Sequence, residues 1–381
     1  MKALVIGGGP AGLYAACLLK RRRLAGSVTV IEQNPSDATY GFGVVFSETA
    51  RNHLSEADPA THEALLAASE TWDDLTIVHR GERVAIDGNG FSALSRLELL
   101  RILQEQCDRE GVDIRFGQQV RALPAADEAD LVIGADGVNS TVRTLCRETF
   151  RPTIHELSNR FAWYGTAKPF ETLTLTFREH AGGHYVAHHY RYSPTMSTFI
   201  VECDAATWEQ AGLARMSDAE SRAWCETVFA ADLDGWPLIS NKSVWRRFPV
   251  LVTERWAYRN MVLLGDASKT IHFSIGSGTR LAMEDALALT HALEEEKGCV
   301  EDALQRFESE RRPAVDRLLS AAGGSYRWYE EFPARMHLAP HAFAHSYMTR
   351  SGRVDDERLA AIAPSFMAAY RAKVAAEANR R

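Results

Sequence analysis

Three separated stretches combine residue types and spacings suited to holding a phosphate-rich ligand. Near the start, Val5-Ile6-Gly7-Gly8-Gly9-Pro10-Ala11-Gly12-Leu13 places glycines at 7, 9 and 12, and the acid Glu32 follows twenty residues after Gly12. Gly7 permits a tight turn, Gly9 lets backbone approach a pyrophosphate, and Gly12 lets a helix pack closely on a strand. A helix starting here offers N–H groups and a positive dipole end to phosphates. Glu32 is spaced to accept both hydroxyls of a ribose. The second stretch is Gly134-Ala135-Asp136-Gly137-Val138-Asn139-Ser140-Thr141-Val142-Arg143. The third is Leu264-Gly265-Asp266-Ala267, followed by Gly276-Ser277-Gly278 and Glu284-Asp285-Ala286. The first stretch alone predicts a dinucleotide.

The elements that must position these residues follow from pattern. Residues 2–6 form a short apolar run suited to a buried parallel strand. Residues 13–23 continue as a helix and 27–31 as a second strand. Residues 34–43 are a turn-rich loop with Pro35, Gly41 and Gly43. Gly41-Phe42-Gly43-Val44-Val45-Phe46-Ser47 is apolar and glycine-flanked, suited either to lie against a flat ring or to be an ordinary buried loop. Helices are predicted at 59–70 and 94–110, the second stopped by Gly111. Strands are predicted at 76–79 and 83–86 around a Gly81 turn, opening a second sheet, and at 113–116 and 131–134.

Beyond residue 159 the pattern changes. Residues 160–167, 172–178, 185–192 and 196–202 are rich in β-branched and aromatic residues at strand length, predicting a mixed or antiparallel sheet. A helix at 218–229 interrupts it, and 243–248 reads as a further strand. Residues 260–265 return to a buried parallel-type strand, and from 280 onward the chain is mostly helical. The expected architecture is α/β: a dinucleotide domain interrupted by a sheet domain.

Composition bounds the function. The chain has 381 residues, 46% hydrophobic and 24% charged, ordinary for a globular enzyme. A net charge of −7 argues against nucleic acid or an anionic membrane surface as a general partner. Arg21, Arg22 and Arg23 are the only tight basic run and read as a solvated helix end. Cysteines at 17, 107, 146, 203, 225 and 299 form no C-x-x-C or close Cys/His cluster, so no metal site is expected and reduced thiols are the default. No apolar run reaches transmembrane length, and the opening strand leaves no room for a cleaved signal. A cytoplasmic location is therefore expected.

At the three stretches the chain resembles the single-component, class A flavin monooxygenases, the family of the para-hydroxybenzoate hydroxylase fold. Asp136-Gly137 matches the family's second fingerprint, and Asp266 in Leu263-Leu264-Gly265-Asp266-Ala267 its third. A closer resemblance lies in residues 41–47, Trp163-Tyr164-Gly165-Thr166, residues 197–203, His272-Phe273-Ser274-Ile275-Gly276-Ser277-Gly278-Thr279 and Met348-Thr349-Arg350-Ser351-Gly352-Arg353-Val354. These are similar to the salicylyl-CoA 5-hydroxylase and 2-aminobenzoyl-CoA monooxygenase group, and to its violacein-pathway relative. The resemblance implies a Rossmann-like FAD-binding domain at 1–72, 96–150 and 253–290, a mixed β-sheet substrate domain at 73–95 and 151–252, and a C-terminal helical segment at 291–381.

It further implies FAD as cofactor, NADPH or NADH as co-substrate, O2, and hydroxylation of an aromatic ring through a flavin C4a-hydroperoxide. Cofactor contact is implied for Gly7, Gly9, Pro10, Ala11, Gly12, Glu32, Gln33, Val44, Val45, Arg96, Asp136, Gly137, Asp266, Gly276, Ser277, Gly278 and Thr279. Among these, Asp266 would meet the ribitol and residues 276–279 the flavin pyrimidine edge. Two departures stand out: Lys269 replaces a histidine frequent in the broad family, and His272-Phe273 replaces a proline pair. No second G-x-G-x-x-G appears, in keeping with a family that lacks a separate NAD(P)H domain.

For ring chemistry the strand at 184–192 is informative. Alternation puts His184, Val186, His188, Tyr190 and Tyr192 on one face, with Tyr185, Ala187 and His189 on the other. His188 and Tyr190 either line a ring pocket or pack within the sheet domain. His272 follows the Asp266 loop and joins His188 as a candidate for ring positioning or proton sharing. Phe273 and Trp163 are candidate ring walls, with core packing the alternative. The expected substrate is an ortho-hydroxy- or ortho-aminobenzoyl group carried as a thioester, on CoA or a carrier protein. The alternatives are a tryptophan-derived or other free aromatic, a flavin reductase or oxidase, and a non-enzymatic escort protein of the same fold.

Overall fold

The computed structural model describes residues 1–38, 41–123, 128–297 and 299–378. The expected loop at 34–43 and the helical C-terminus therefore lie partly outside the described residues, at 39–40 and 379–381. The chain forms two compact units. The first comprises Met1–Thr39, Leu97–Glu156 and Pro249–Leu319; the second comprises Tyr40–Arg96, Leu157–Phe248 and Ser320–Arg381.

The first unit is built on a six-stranded sheet. Lys2–Ile6 lies between Ser27–Ile31 and Leu131–Gly134, parallel to both. Met261–Leu263 and Asp113–Arg115 extend the sheet in parallel on either side, and Ala257–Tyr258 closes one edge antiparallel. Central strands covered on both faces need near-continuous apolar sequence, which explains why Val5, Val30 and Ile133 are fully buried. The helix Pro10–Arg21 buries a continuous run from Ala11 to Leu19 and packs against the long helix Gly278–Glu295.

The second unit carries a seven-stranded sheet in the order Leu238–Ser240, Arg160–Thr166, Met196–Cys203, Gly183–Ser193, Leu173–His180, Leu75–His79, Glu82–Ile86. All pairs are antiparallel except Leu173–His180 with Leu75–His79. The expected alternation along 184–192 holds. Val186 joins an apolar cluster with Phe177, Trp328, Tyr329 and Phe343, whereas Tyr185 and Ala187 join the opposite cluster with Phe199 and Phe229. The hairpin at 75–86 enters this sheet as expected. No helix among the described residues is long and apolar enough to cross a membrane.

Three local expectations are corrected. The helix expected from 94 begins at Arg96, because Phe91–Ser95 is a strand pairing with Gly43–Ser47. That same pairing makes the segment at 41–47 largely a strand rather than a loop, and Glu70–Trp72 adds a third strand on the other side. No strand forms at 243–248. Arg246 makes only an isolated bridge to Phe161, while Ser243 turns inward, its backbone N–H donating to Ser240 Oγ and its hydroxyl to Trp163 O.

Candidate active site

In the first unit the glycine turn has the geometry its spacing predicts. Gly7 sits at φ +108°, and a Cβ there would collide with Ala135 O. A Cβ on Gly12 would strike Gly7 O, so no larger residue allows the helix this close to the turn. Around Gly9 the space where a Cβ would point is open, which leaves its backbone accessible. Pro10 opens the helix, and Gly9 at the N-cap supplies no side-chain partner for the first-turn amides. Glu32 accepts from Gly8 N at 2.6 Å and from Asn34 N and Nδ2 at 2.8 and 2.7 Å, which holds its carboxylate against the turn. Gln33 follows it, exposed.

The second motif abuts the first. Asp136 Oδ2 accepts Thr141 N at 2.6 Å and Val142 N at 3.2 Å, capping a short helix, while its buried Oδ1 has no partner among the described residues. Gly137 adopts φ +76°. Arg143, buried, donates to Ala267 O at 2.8 Å and to Val138 O, and so ties the second motif to the third. Sequence reasoning quoted Arg143 as part of the motif without giving it this role.

In the third motif, Gly265 is left-handed at φ +57° and Asp266 is exposed. Behind the turn lies an ionic cluster that sequence reasoning also missed. Asp285 Oδ2 accepts Gly265 N at 3.1 Å and Lys269 Nζ at 2.5 Å; Asp285 Oδ1 accepts Arg311 Nε at 3.0 Å. Glu284 accepts from Arg311 at 2.7 Å and Arg280 at 2.6 Å. Lys269 also lies over the Trp256 ring, 4.1 Å from its centroid. Burial works against both charges of the Lys269–Asp285 pair; the lysine pKa is pushed down, while Lys269 and Arg311 hold the carboxyl below its usual range. The signal for this cluster was the pair of acids inside the long apolar helix.

Next, Gly276 (φ +57°) leads into Ser277, the N-cap of the eighteen-residue helix Gly278–Glu295. Ser277 Oγ donates to Ile275 O and caps nothing, so Gly278 and Thr279 open the helix with amides not taken by a side-chain cap. His272 is buried, with its ring stacked on Phe273 at 4.3 Å. Its Nδ1 accepts Ser274 N at 3.3 Å and lies 2.8 Å from Ser274 Oγ, which puts the proton of the neutral ring on Nε2. An accessible glycine backbone, two helix N-termini without side-chain caps and an unsatisfied Asp136 oxygen suit the phosphates and sugars of a dinucleotide.

In the second unit, Trp163 and His188 both pair with Ile200, from opposite sides, so the three share one sheet face. Tyr190 is on the same face, and its hydroxyl donates to Gly43 O at 3.0 Å. Gly43 N in turn donates to Thr198 Oγ1 at 2.9 Å, and the Phe42 ring fills the space left by Gly165. Burial pushes the Tyr190 phenol pKa up. Val44 and Val45 lie in the strand beside this contact, paired with Leu94 and Ala93. Arg96 starts its helix with its N–H donated to Phe42 O at 2.8 Å. His188 stacks on Tyr329 and meets the buried carboxylate of Glu202, to which sequence reasoning gave no role of its own. His189 lies on the other face against Phe170 and Phe199.

Comparison with known proteins agrees with this geometry. The model of the FAD binding domain family matches residues 1–322. The chain is 43% identical over 361 residues to a Streptomyces salicyloyl-CoA 5-hydroxylase, covering 92% of this chain and 70% of that protein. It is 37% identical over 360 residues to the protodeoxyviolaceinate monooxygenase of Chromobacterium violaceum, covering 92% and 94%. It is 36% identical over 337 residues to a 3-hydroxy-4-methyl-anthranilyl-[aryl-carrier protein] 5-monooxygenase of Streptosporangium sibiricum, covering 87% and 90%. Among solved structures, the tetrameric form of 2-methyl-3-hydroxypyridine-5-carboxylic acid oxygenase superposes with a TM-score of 0.72 at 20% identity, covering 95% of each chain. With this family match and these relatives, the chain belongs to the FAD binding domain family and is an FAD-dependent monooxygenase.

Proposed function

We propose that this FAD-dependent aromatic hydroxylase acts on an ortho-hydroxy- or ortho-aminobenzoyl group carried as a thioester, with NAD(P)H and O2 as co-substrates. The observation that carries the substrate class is its 43% identity to a hydroxylase named for salicyloyl-CoA, supported by a relative named for an aryl-carrier-protein substrate. The identity to a protodeoxyviolaceinate monooxygenase favours a free tryptophan-derived aromatic as the second reading. In this reading the enzyme works in the cytoplasm, where its free cysteines stay reduced.

FAD, when bound, supplies the oxygen transfer to the ring. The protein's own groups bind, orient and manage protons. Gly7, Gly9, Pro10, Ala11, Gly12, Glu32 and Gln33 take the ADP half, and Asp136, Gly137 and Arg96 the pyrophosphate and ribityl region. Asp266 takes the ribitol. The amides from Gly276 through Ser277 and Gly278 to Thr279 place partial positive charge where negative charge gathers on the reduced cofactor. Val44 and Val45 supply apolar surface for a flat ring. Trp163, Tyr190 and Phe273 orient the aromatic substrate, and His188 and His272 share the proton of its ring substituent.

The test is product analysis alongside NAD(P)H oxidation with salicylyl-CoA, 2-aminobenzoyl-CoA, the free acids, tryptophan and indoles. Oxygenated aryl thioester in near-stoichiometric yield supports the reading. Oxygenation of a free tryptophan-like aromatic in preference to every thioester overturns it in favour of the second reading. NAD(P)H oxidation without oxygenated product for any of them points to a reductase or oxidase.

A further inference from the structure

Glu202 stands out as a buried acid, the one charged residue of the strand Met196–Cys203. Val186 pairs with Glu202 and His188 with Ile200, so Glu202 and His188 are diagonal neighbours on one sheet face. Their side chains are 2% and 8% exposed, and His188 Nε2 lies 3.3 Å from Glu202 Oε2. Glu202 Oε1 accepts Asn159 Nδ2 at 2.8 Å, and the same nitrogen reaches Tyr329 O at 3.1 Å. The Tyr329 ring stacks on His188, with centroids 5.1 Å apart and planes at 27°. The imidazole plane is thus set by Tyr329 and its edge by Glu202. A carboxylate oxygen facing Nε2 accepts from it, which leaves the acceptor lone pair of the imidazole on Nδ1. Trp163 shares this face across Ile200.

We propose that Glu202 is a positioning residue of the hydroxylation. It fixes His188 as the Nε2–H tautomer, so that Nδ1 accepts the proton of the substrate's ring hydroxyl or amine. This inference rests on the role given to His188 above. In the step, the substituent's O–H or N–H bond breaks and an Nδ1–H bond forms. The electron pair left on the substituent feeds the ring as its carbon bonds the oxygen that the flavin reaction supplies. Glu202 stabilises the imidazolium without taking its proton. The proton returns to the substituent when the oxygenated carbon releases its own hydrogen to solvent.

The experiment has two arms on the FAD-loaded enzyme. The first reads the His188 tautomer from imidazole 15N shifts. The second measures product formation against pH for wild type, Glu202→Gln and His188→Ala, using salicylyl-CoA or whichever aromatic the panel above shows to be oxygenated. Glutamine keeps the size and the Asn159 contact but offers His188 an amide N–H, which reverses the tautomer. Expected are the Nε2–H form in wild type, the Nδ1–H form in Glu202→Gln, and a loss of about a hundredfold in product formation with a displaced pH profile but unchanged FAD affinity. An Nδ1–H form in wild type overturns the proposal. So does a reversed tautomer with wild-type product formation and pH profile. The wild-type spectrum needs no variant, so misfolding of Glu202→Gln leaves a decisive measurement. Unchanged product formation in His188→Ala removes the role of His188 itself, and failure of every thioester removes only the substrate reading.

Discussion

Lys269 and Asp285 meet at 2.5 Å inside the first unit, and the same Asp285 oxygen takes the backbone N–H of Gly265 at 3.1 Å. A buried ion pair therefore holds the turn that presents Asp266. Desolvation opposes both charges, and the pair persists because each charge is the other's partner and Arg311 closes the remaining carboxylate oxygen.

Lys269→Met leaves Asp285 with Arg311 alone and is expected to cost about 3–5 kcal/mol of stability, the usual result of stripping one partner from a buried pair. It also loosens the Gly265 turn, so FAD should bind more weakly. Urea unfolding and flavin titration check both effects. Adding Asp285→Asn should recover part of the loss, since removing both charges is far less damaging than removing one.

The glycine turn separates packing from binding. Gly12→Ala sets a methyl against Gly7 O and should destabilise the apo protein by about 1–3 kcal/mol through overpacking. The Cβ of Gly9→Ala meets no neighbour, so the apoprotein should keep its melting temperature, while the bulkier Gly9→Val should lower FAD affinity at least about tenfold, roughly 1.4 kcal/mol. Glu32→Ala should weaken binding of the adenosine half. Wild-type FAD affinity in both Gly9→Val and Glu32→Ala would refute this placement.

Asp266 is exposed on its turn and is not buried in the ionic cluster beneath it. Asp266→Ala is therefore expected to impair FAD binding or reduction with the apoprotein fold retained. Stopped-flow reduction by NAD(P)H and circular dichroism together provide the check, and unchanged affinity and reduction kinetics would exclude the ribitol contact.

His189 is buried between Phe170 and Phe199 with Nε2 3.0 Å from Thr176 Oγ1. Burial first, then the nearby cations Arg83, Lys168 and Arg178 and the neighbouring His188, holds its pKa well below 6.5. The unfolded chain takes up a proton near pH 6.5 and the folded chain does not. The stability that depends on neutral His189 is therefore fully present above that pH and is lost as pH falls through 6.5 toward the folded value. Unfolding free energy should therefore fall between pH 7.5 and 5.5. His189→Gln removes the titration, so its unfolding free energy should vary less with pH than that of wild type.

His272→Ala should lower product formed per NAD(P)H more than it lowers FAD affinity. His272 lies six residues past Asp266, and its Nδ1 is engaged by Ser274, so the Nε2–H of the neutral ring is its donor. Product quantification over a range of pH checks this. An unaltered coupling ratio and pH profile would leave His272 a packing residue stacked on Phe273.

Much of the glycine-turn geometry was legible because its constraints are local. Gly7, Gly9, Gly12 and Glu32 act through turn geometry and strand–helix spacing, and these lie within one stretch of chain. The faces of residues 184–192 were legible for the same reason, since strand alternation is a property of the backbone. The errors fell where partners distant in sequence decide. Phe91–Ser95 carries an apolar pattern that continues into a helix, and only pairing with Gly43–Ser47 makes it a strand. Residues 243–248 have strand-like composition, but the turn at Ser240 to Ser243 denies them a ladder.

The amino-acid sequence by itself determined the class of ligand, the order of strands and helices around the glycine turn, and which side chains of each strand share a face, because period and turn chemistry need no distant partner. Only the tertiary structure decided that Asp285 supports the Gly265 turn, that Arg143 joins the second motif to the third, and that Glu202 and Tyr329 hold His188. Buried charges are tolerated only beside a compensating group, and which group that is depends on how segments far apart in the chain come to pack.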